Sequence, residues 1–288
     1  MFDNIDHVMD IMTPVGYFID RRVATVIFLA ARLQKPVLVE GPAGVGKTQL
    51  AYALAQGLGT DLIRLQCYEG LDEAKALYEW NYTLQLLYLQ AEAASSWQEA
   101  RSQLFSEEFL LKRPLLQALL ADRKVVLLID EIDKSDAEFE SFLLEALSDF
   151  QVTIPEFGTV KSTSIPFVVL TSNNSRPLSD ALKRRCLHLY LDYPEEERER
   201  TILCHHVPGL PEMLASQIVS FLNVLRRKPL KKAPGISEAV EWAQALQLLG
   251  YQEYHEECVL DGLSILAKYK EDEGVIIREA RTVMRESG

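Results

Sequence analysis

No run of apolar residues in this 288-residue chain approaches 18, the length a hydrocarbon-spanning helix needs, so no membrane span is expected. The opening residues, Met1-Phe2-Asp3-Asn4, have neither the basic stretch nor the apolar core of a secretory signal, which points to a cytoplasmic chain. Cysteine is scarce. The four residues Cys67, Cys186, Cys204 and Cys258 are scattered and make no C-x-x-C pair, which argues against disulfides and zinc and for buried free thiols in a reducing compartment. The Cys204-His205-His206 cluster has no second ligand pair and reads as helix surface. Basic charge is short as well. A formal net charge of −12 does not favour nucleic acid as a partner. The densest basic run, Arg226-Arg227-Lys228-Pro229-Leu230-Lys231-Lys232, is expected to be a solvated helix end, where cations suit the helix dipole.

What the chain does have is a phosphate signature. Buried-strand character over Val37-Leu38-Val39-Glu40 runs into Gly41-Pro42-Ala43-Gly44-Val45-Gly46-Lys47-Thr48, which fills G-x-x-x-x-G-K-[ST] in full. Helical periodicity follows, with Leu50, Ala51, Leu54, Ala55 and Leu58 on one stripe until Gly57 and Gly59 stop it. The glycines let backbone N–H groups converge on phosphate oxygens at a helix N-terminus. Lys47 supplies a cation for the β- and γ-phosphates, and the Thr48 hydroxyl can ligate Mg²⁺.

A second signal lies at Val125-Val126-Leu127-Leu128-Ile129-Asp130-Glu131-Ile132-Asp133. The continuous apolar run predicts a parallel strand buried on both faces, and its adjacent carboxylates fall where α/β sheets bind ligands. Asp130 can hold Mg²⁺ through water, and Glu131 can orient and activate an attacking water. A third strand, 165–170, ends in Thr171-Ser172-Asn173-Asn174. Asn173 there could fix the attacking water or touch the γ-phosphate, or it could simply close the strand as a turn-former.

The rest of the chain fits around these strands. Residues 1–36 predict a helical approach with Val23, Val26, Ile27, Ala30 and Ala31 on one face. Tyr17 just before it could lie against a nucleotide base or in the core. A strand is expected over 62–67. The long segment 68–124 then reads as mostly helical, with good helix formers and no proline over 72–104, and with Pro114 opening a last short helix. Its apolar surface (Leu77, Trp80, Leu84, Leu87, Tyr88) is broader than one packed face needs, consistent with core or with a partner surface. Ser135-Asp136-Ala137-Glu138 reads as a capping box for a helix over 139–150. Residues 151–164 read as a β-hairpin around Pro155 and Gly158. A short helix over 177–186 ends in Lys183-Arg184-Arg185. Those cations could serve the helix dipole, or an arginine could reach a neighbouring subunit's nucleotide. A strand follows over 188–193. After Pro194 only helix patterns remain: 195–207, 210–228, 236–249, 256–269 and 274–285. The expected domains are therefore 1–194 and 195–288.

The phosphate loop, Asp130-Glu131, Asn173, Arg184-Arg185-Cys186 and an all-α tail together resemble an AAA+ ATPase over nearly the whole chain. The insert before Asp130-Glu131 and the hairpin before Asn173 are similar to the MoxR branch. Cys67-Tyr68-Glu69-Gly70, Ala76-Leu77-Tyr78-Glu79-Trp80 and Arg113-Pro114-Leu115-Leu116-Gln117-Ala118 resemble its CoxD-like members. This resemblance implies an α/β P-loop fold with a five-stranded parallel sheet ordered 5-1-4-3-2 and a C-terminal helical lid. It also implies ATP and Mg²⁺ as ligands, and Arg184 or Arg185 as a finger acting on the next subunit of a hexameric ring. Family members act as chaperones with a partner carrying a von Willebrand factor A domain. The protein client would be a metalloenzyme, for CoxD-like members a molybdenum hydroxylase such as carbon monoxide dehydrogenase. One departure stands out. The lid helix that usually begins with the sensor 2 arginine reads Gly235-Ile236-Ser237-Glu238-Ala239-Val240-Glu241-Trp242. Two rival functions are a nucleic-acid AAA+ machine such as a clamp loader or helicase loader, and a nucleotide-gated scaffold with little turnover. The acidic balance argues against the first, and Lys47, Asp130 and Glu131 argue against the second.

Overall fold

Five strands pair in parallel: β1 (Val37–Glu40), β2 (Leu62–Gln66), β5 (Val126–Asp130), β8 (Phe167–Ser172) and β9 (Leu187–Tyr190), in the order β2-β5-β8-β1-β9. Numbered among themselves and read from the other edge, they run 5-1-4-3-2, as the family resemblance implies. Two antiparallel pairs lie outside this sheet, β3 (Tyr78–Trp80) with β4 (Leu110–Lys112) and β6 (Gln151–Ile154) with β7 (Gly158–Lys161). The structure, a computed structural model, describes residues 1–91, 101 and 103–287.

The chain divides into two units. One comprises Met1–Ile11, Asp20–Glu40 and Leu50–Tyr190, and the other Met12–Ile19, Gly41–Gln49 and Leu191–Gly288. The first holds the sheet. Every residue of β1, β5 and β8 is buried, which is why those strands read as unbroken apolar runs rather than alternations. Their register aligns the carboxyl ends: Gln66 lies opposite Asp130, and Glu40 lies opposite both Ser172 and Tyr190. The sheet core continues through Leu115, Leu116 and Leu119 of the helix Pro114–Leu119 and through Phe139 and Leu143 of Ala137–Ser148. The second unit has its own core, built on Leu214, Ile218, Phe221 and Leu222 of the helix Glu212–Arg226 and on Trp242 and Leu246 of Ile236–Leu248.

Several local expectations need correction. The insert is not a run of helix, because the helices Glu73–Ala76 and Tyr82–Ala91 are separated by strand β3. Aromatic Tyr78 and Trp80 suit a strand, and Trp80 packs edge-on against Phe105 with ring centroids 5.1 Å apart. The part of that helical expectation over 92–100 and at 102 lies outside the described residues. Tyr82–Ala91 is also turned inside out relative to an ordinary surface helix. Gln85 is buried and donates its side-chain N–H to the Leu104 carbonyl at 2.6 Å, while Tyr82, Leu86 and Leu87 are 64%, 61% and 57% exposed.

The helix Arg21–Leu33 buries Val23, Ala24, Ile27 and Ala30, so Ala24 takes the place expected for Val26 and Ala31. Gly57 does not end its helix, which runs Lys47–Leu58. A Cβ there would lie 2.5 Å from the Ile11 carbonyl oxygen, so glycine permits a close backbone approach. No capping box forms at Ser135. Asp136 is the N-cap, accepting from the Phe139 N–H at 2.8 Å, and the Ser135 hydroxyl donates to the Ile132 carbonyl. The helix expected over 256–269 breaks at Gly262, where a Cβ would come within 2.2 Å of Trp242 Nε1. Arg226 is not solvated: its guanidinium donates to both Glu199 oxygens at 2.6 Å and stacks over the Tyr193 ring at 4.3 Å. Of the other cations in the run, Arg227 is exposed, and Lys228, Lys231 and Lys232 pair with Glu279, Glu271 and Glu238.

Candidate functional site

Strand β5 delivers Asp130 and Glu131 to its carboxyl end, and the first unit organises both. The Thr171 hydroxyl on neighbouring β8 does two jobs at once, donating to Asp130 Oδ1 at 2.6 Å and accepting the Glu131 N–H at 2.9 Å. Arg64 donates to Asp130 Oδ2 at 2.6 Å. Glu131 is held at three points: Asn173 Nδ2 donates to Oε1 at 3.1 Å, and Gln66 Nε2 and Lys134 Nζ donate to Oε2 at 2.9 and 2.6 Å. The hydrogen bond to Glu131 raises the Lys134 pKa above the ordinary lysine value. Asn173 therefore meets Glu131 at the strand tips.

Asp133 closes this corner from below. It is buried, and its Oδ2 accepts from the Asn173 N–H at 3.2 Å, the Ser175 N–H at 2.8 Å and the Ser175 hydroxyl at 2.6 Å. Burial alone would raise its pKa, but these donors to the ionised form outweigh it and hold the carboxyl below its ordinary value. Beyond Ser175, Arg176 donates to the Ser135 carbonyl at 2.8 Å and pairs with the buried Glu140. The segment then enters the helix Asp180–Arg185, capped by Ser179. Arg184 and Arg185 are exposed, and Arg185 Nε donates to Ser148 Oγ at 2.6 Å.

The phosphate loop follows β1 directly and lies in the second unit. Its glycines sit where the backbone needs them: Gly44 and Gly46 have φ of 78° and 90°, a region that side chains other than glycine rarely occupy. Lys47 Nζ donates to the carbonyls of Gly41 and Pro42, both at 2.7 Å. The Tyr17 hydroxyl donates to the Gly46 carbonyl at 3.0 Å, and the Ile236 N–H to the Gly44 carbonyl at 2.8 Å. Burial raises the Tyr17 pKa above the ordinary phenol value. Tyr17 thus lies on the loop itself. The Cys204-His205-His206 cluster gathers no metal set among the described residues: His205 packs edge-on against Phe18 and His206 lies near the Gly16 carbonyl.

The roles of Arg64, Gln66, Asp133, Thr171, Ser175 and of Tyr17 on the loop come from the structure rather than from the motifs. A signal was present for the first two. A parallel strand is apolar when covered on both faces, and Leu-Ile-Arg-Leu-Gln over Leu62–Gln66 carries polar side chains at alternate positions, hence on one face.

A glycine phosphate loop leaving one parallel strand and paired carboxylates ending another define the class: a P-loop nucleoside triphosphatase with an α/β core and a helical C-terminal region. The chain belongs to the AAA family, the ATPase family associated with various cellular activities, whose profile matches residues 37–192. It is similar to the uncharacterised protein SH1500 of Staphylococcus haemolyticus, 25% identical over 221 residues covering 74% of this chain and 76% of that one. It is also similar to the uncharacterised protein YeaC of Bacillus subtilis, 26% identical over 232 residues covering 76% of this chain and 62% of that one. Among solved structures it is similar to the RuvB Holliday junction branch migration motor of Thermotoga maritima, with TM-score 0.49 and 17% identity over 85% of this chain and 67% of that one. No helix among the described residues is long and apolar enough to cross a membrane.

Proposed function

We propose that the chain hydrolyses ATP and uses the cycle to remodel a client protein, as an AAA+ chaperone of the MoxR type. The observation that carries the reading is the arrangement around Glu131: a carboxylate aimed by Asn173 and Gln66 beside a second carboxylate, Asp130, in a chain with a complete phosphate loop. The residues present fit the expected ligands. Backbone N–H groups over 41–48 and Lys47 suit the phosphates, and the Thr48 hydroxyl with the Asp130 carboxylate are the hard oxygen donors that Mg²⁺ takes. When bound, Mg²⁺ would neutralise phosphate charge. Glu131 then accepts the proton of the attacking water, and Asn173 holds that water in line. Arg185, with Arg184 in reserve, supplies positive charge to a neighbouring subunit's nucleotide in a homo-oligomeric, hexameric ring. In this reading residues 1–194 form the ATPase core and 195–288 the lid.

The insert over 68–124 and the hairpin β6–β7 carry neither a phosphate nor a metal motif, and the apolar outer face of Tyr82–Ala91 supports a role in engaging partners. The residues quoted above for CoxD-like members favour a von Willebrand factor A domain protein as partner and a molybdenum hydroxylase such as carbon monoxide dehydrogenase as client. Two measurements test this reading. The purified protein should release phosphate from ATP in a Mg²⁺-dependent reaction that Glu131→Gln removes. Co-expression with a molybdenum hydroxylase should raise its active fraction only when Glu131 is intact. ATP turnover without any effect on maturation would leave the ATPase and remove the chaperone assignment.

A further inference from the structure

The lid helix lacks the arginine that its position leads one to expect, yet it touches the phosphate loop through its backbone. Gly235 is the N-cap of Ile236–Leu248, and a Cβ on it would lie 2.7 Å from Gly44 Cα and 2.8 Å from the Gly44 carbonyl oxygen. Glycine is what allows this approach, and it brings the Ile236 N–H within 2.8 Å of the Gly44 carbonyl. On the other side of the loop the Tyr17 hydroxyl holds the Gly46 carbonyl at 3.0 Å, and the Tyr17 ring lies 3.5 Å from where a Gly46 Cβ would be.

A trans peptide is one rigid plane whose C=O and N–H point in opposite directions. A partner that fixes the Gly44 carbonyl therefore fixes the Val45 N–H on the far side, and one that fixes the Gly46 carbonyl fixes the Lys47 N–H. Those amides are what a phosphate loop offers to its anion. Free glycine backbone would sample many orientations, and ordering it on binding would cost affinity.

We infer that Ile236 and Tyr17 are positioning residues for phosphate binding: the lid's first amide and a phenol from the N-terminal segment hold the Gly44 and Gly46 carbonyls outward, so that the Val45 and Lys47 N–H groups face the anion before it arrives. This inference rests on the nucleotide site proposed above and gives the lid a backbone contact with the phosphate loop where the arginine is missing.

Two substitutions remove one donor each. Tyr17→Phe deletes the hydroxyl. Ile236→Pro deletes the N–H at the first helical position, where proline is tolerated. The preceding Gly235, at φ −90° and ψ −169°, already has the extended conformation that proline demands of its predecessor. Ile236→Ala keeps the N–H and shortens the side chain. Binding of ADP and of inorganic pyrophosphate to the full chain is measured by calorimetry, with the ligand-free unfolding midpoint as control. Tyr17→Phe and Ile236→Pro should each weaken both ligands by the same factor, about two- to tenfold for one hydrogen bond. Ile236→Ala should bind as wild type, and the ligand-free midpoints show that each variant is folded at the temperature of the binding measurement. Unchanged pyrophosphate affinity in both donor-deleting variants overturns the inference. Weaker ADP with unchanged pyrophosphate in Tyr17→Phe overturns it for Tyr17, placing that ring on the base or ribose. Equal losses in Ile236→Ala and Ile236→Pro would make the effect one of packing and overturn it for Ile236. A wild-type chain that binds neither ligand overturns the nucleotide site itself, and this inference with it.

Discussion

Glu131 occupies the left-handed region, φ 56° and ψ 50°, which few residues with a side chain adopt. Such a conformation persists when its surroundings over-determine it, and here the N–H is taken by Thr171 and the carboxylate by Asn173, Gln66 and Lys134. Glu131→Gln keeps the shape and removes the carboxylate proposed as the base. It should bind ATP like wild type and turn over about 10²–10⁴-fold more slowly, read by phosphate release beside a binding isotherm; wild-type turnover would remove Glu131 from its assigned role. Lys47→Ala should instead lose nucleotide affinity, because a charge-assisted contact to phosphate is gone. Asp133 gives a pH signature. Its pKa is depressed in the folded chain, so its stabilising contribution is present above the ordinary carboxylate range and is lost as pH falls through that range to the lower folded value. Urea midpoints of wild type and Asp133→Asn should differ at neutral pH and converge on acidification. A constant gap would show that the carboxylate's ionisation is not what holds the 173–175 turn.

At the scale of elements, the hairpin β6–β7 pairs outside the five-stranded sheet while Val152, Ile154 and Val160 join its core. It turns at Glu156, with φ 68°, and at Gly158, with φ 109°. Shortening the tip around Glu156-Phe157-Gly158 should spare basal ATPase and abolish client maturation. Loss of ATPase with maturation intact would reverse that division of labour. Strands β1, β5 and β8 announce themselves as apolar runs ending in polar residues, and the loop after β1 as a full motif, because both properties are local in sequence. Strand β3 was hidden because its partner β4 lies some thirty residues on, at Leu110–Lys112, and a strand's pairing is decided by that distant segment rather than by its own composition. Arg226 is hidden for a like reason: a basic run looks solvated until Glu199 and Tyr193 are brought against it. Asp133 sat inside the recognised motif, but its role depends on Ser175, forty-two residues away.

At the scale of the whole molecule, activity should depend on assembly. Arg184 and Arg185 end a helix and are exposed, and an arginine supplied in trans can raise phosphoryl-transfer rates by roughly 10³–10⁵. Specific activity should rise with protein concentration. Arg185→Ala should bind ATP and hydrolyse it poorly, and mixing it with Lys47→Ala should restore part of the turnover, since each variant supplies what the other lacks. A concentration-independent rate with an active Arg185→Ala chain would reduce these cations to partners of the helix dipole. The outward leucines of Tyr82–Ala91 bear on handling as well as on partners. That ten-residue helix carries no charge, so repulsion between two such surfaces in dilute buffer comes from the net −12 of the chain as a whole. Raising ionic strength from 0.1 to 1 M shortens the reach of that repulsion from about 10 Å to about 3 Å. Light scattering should therefore grow with added salt, and Leu86→Glu should suppress the growth, making colloidal behaviour a direct gauge of how sticky this one helix is.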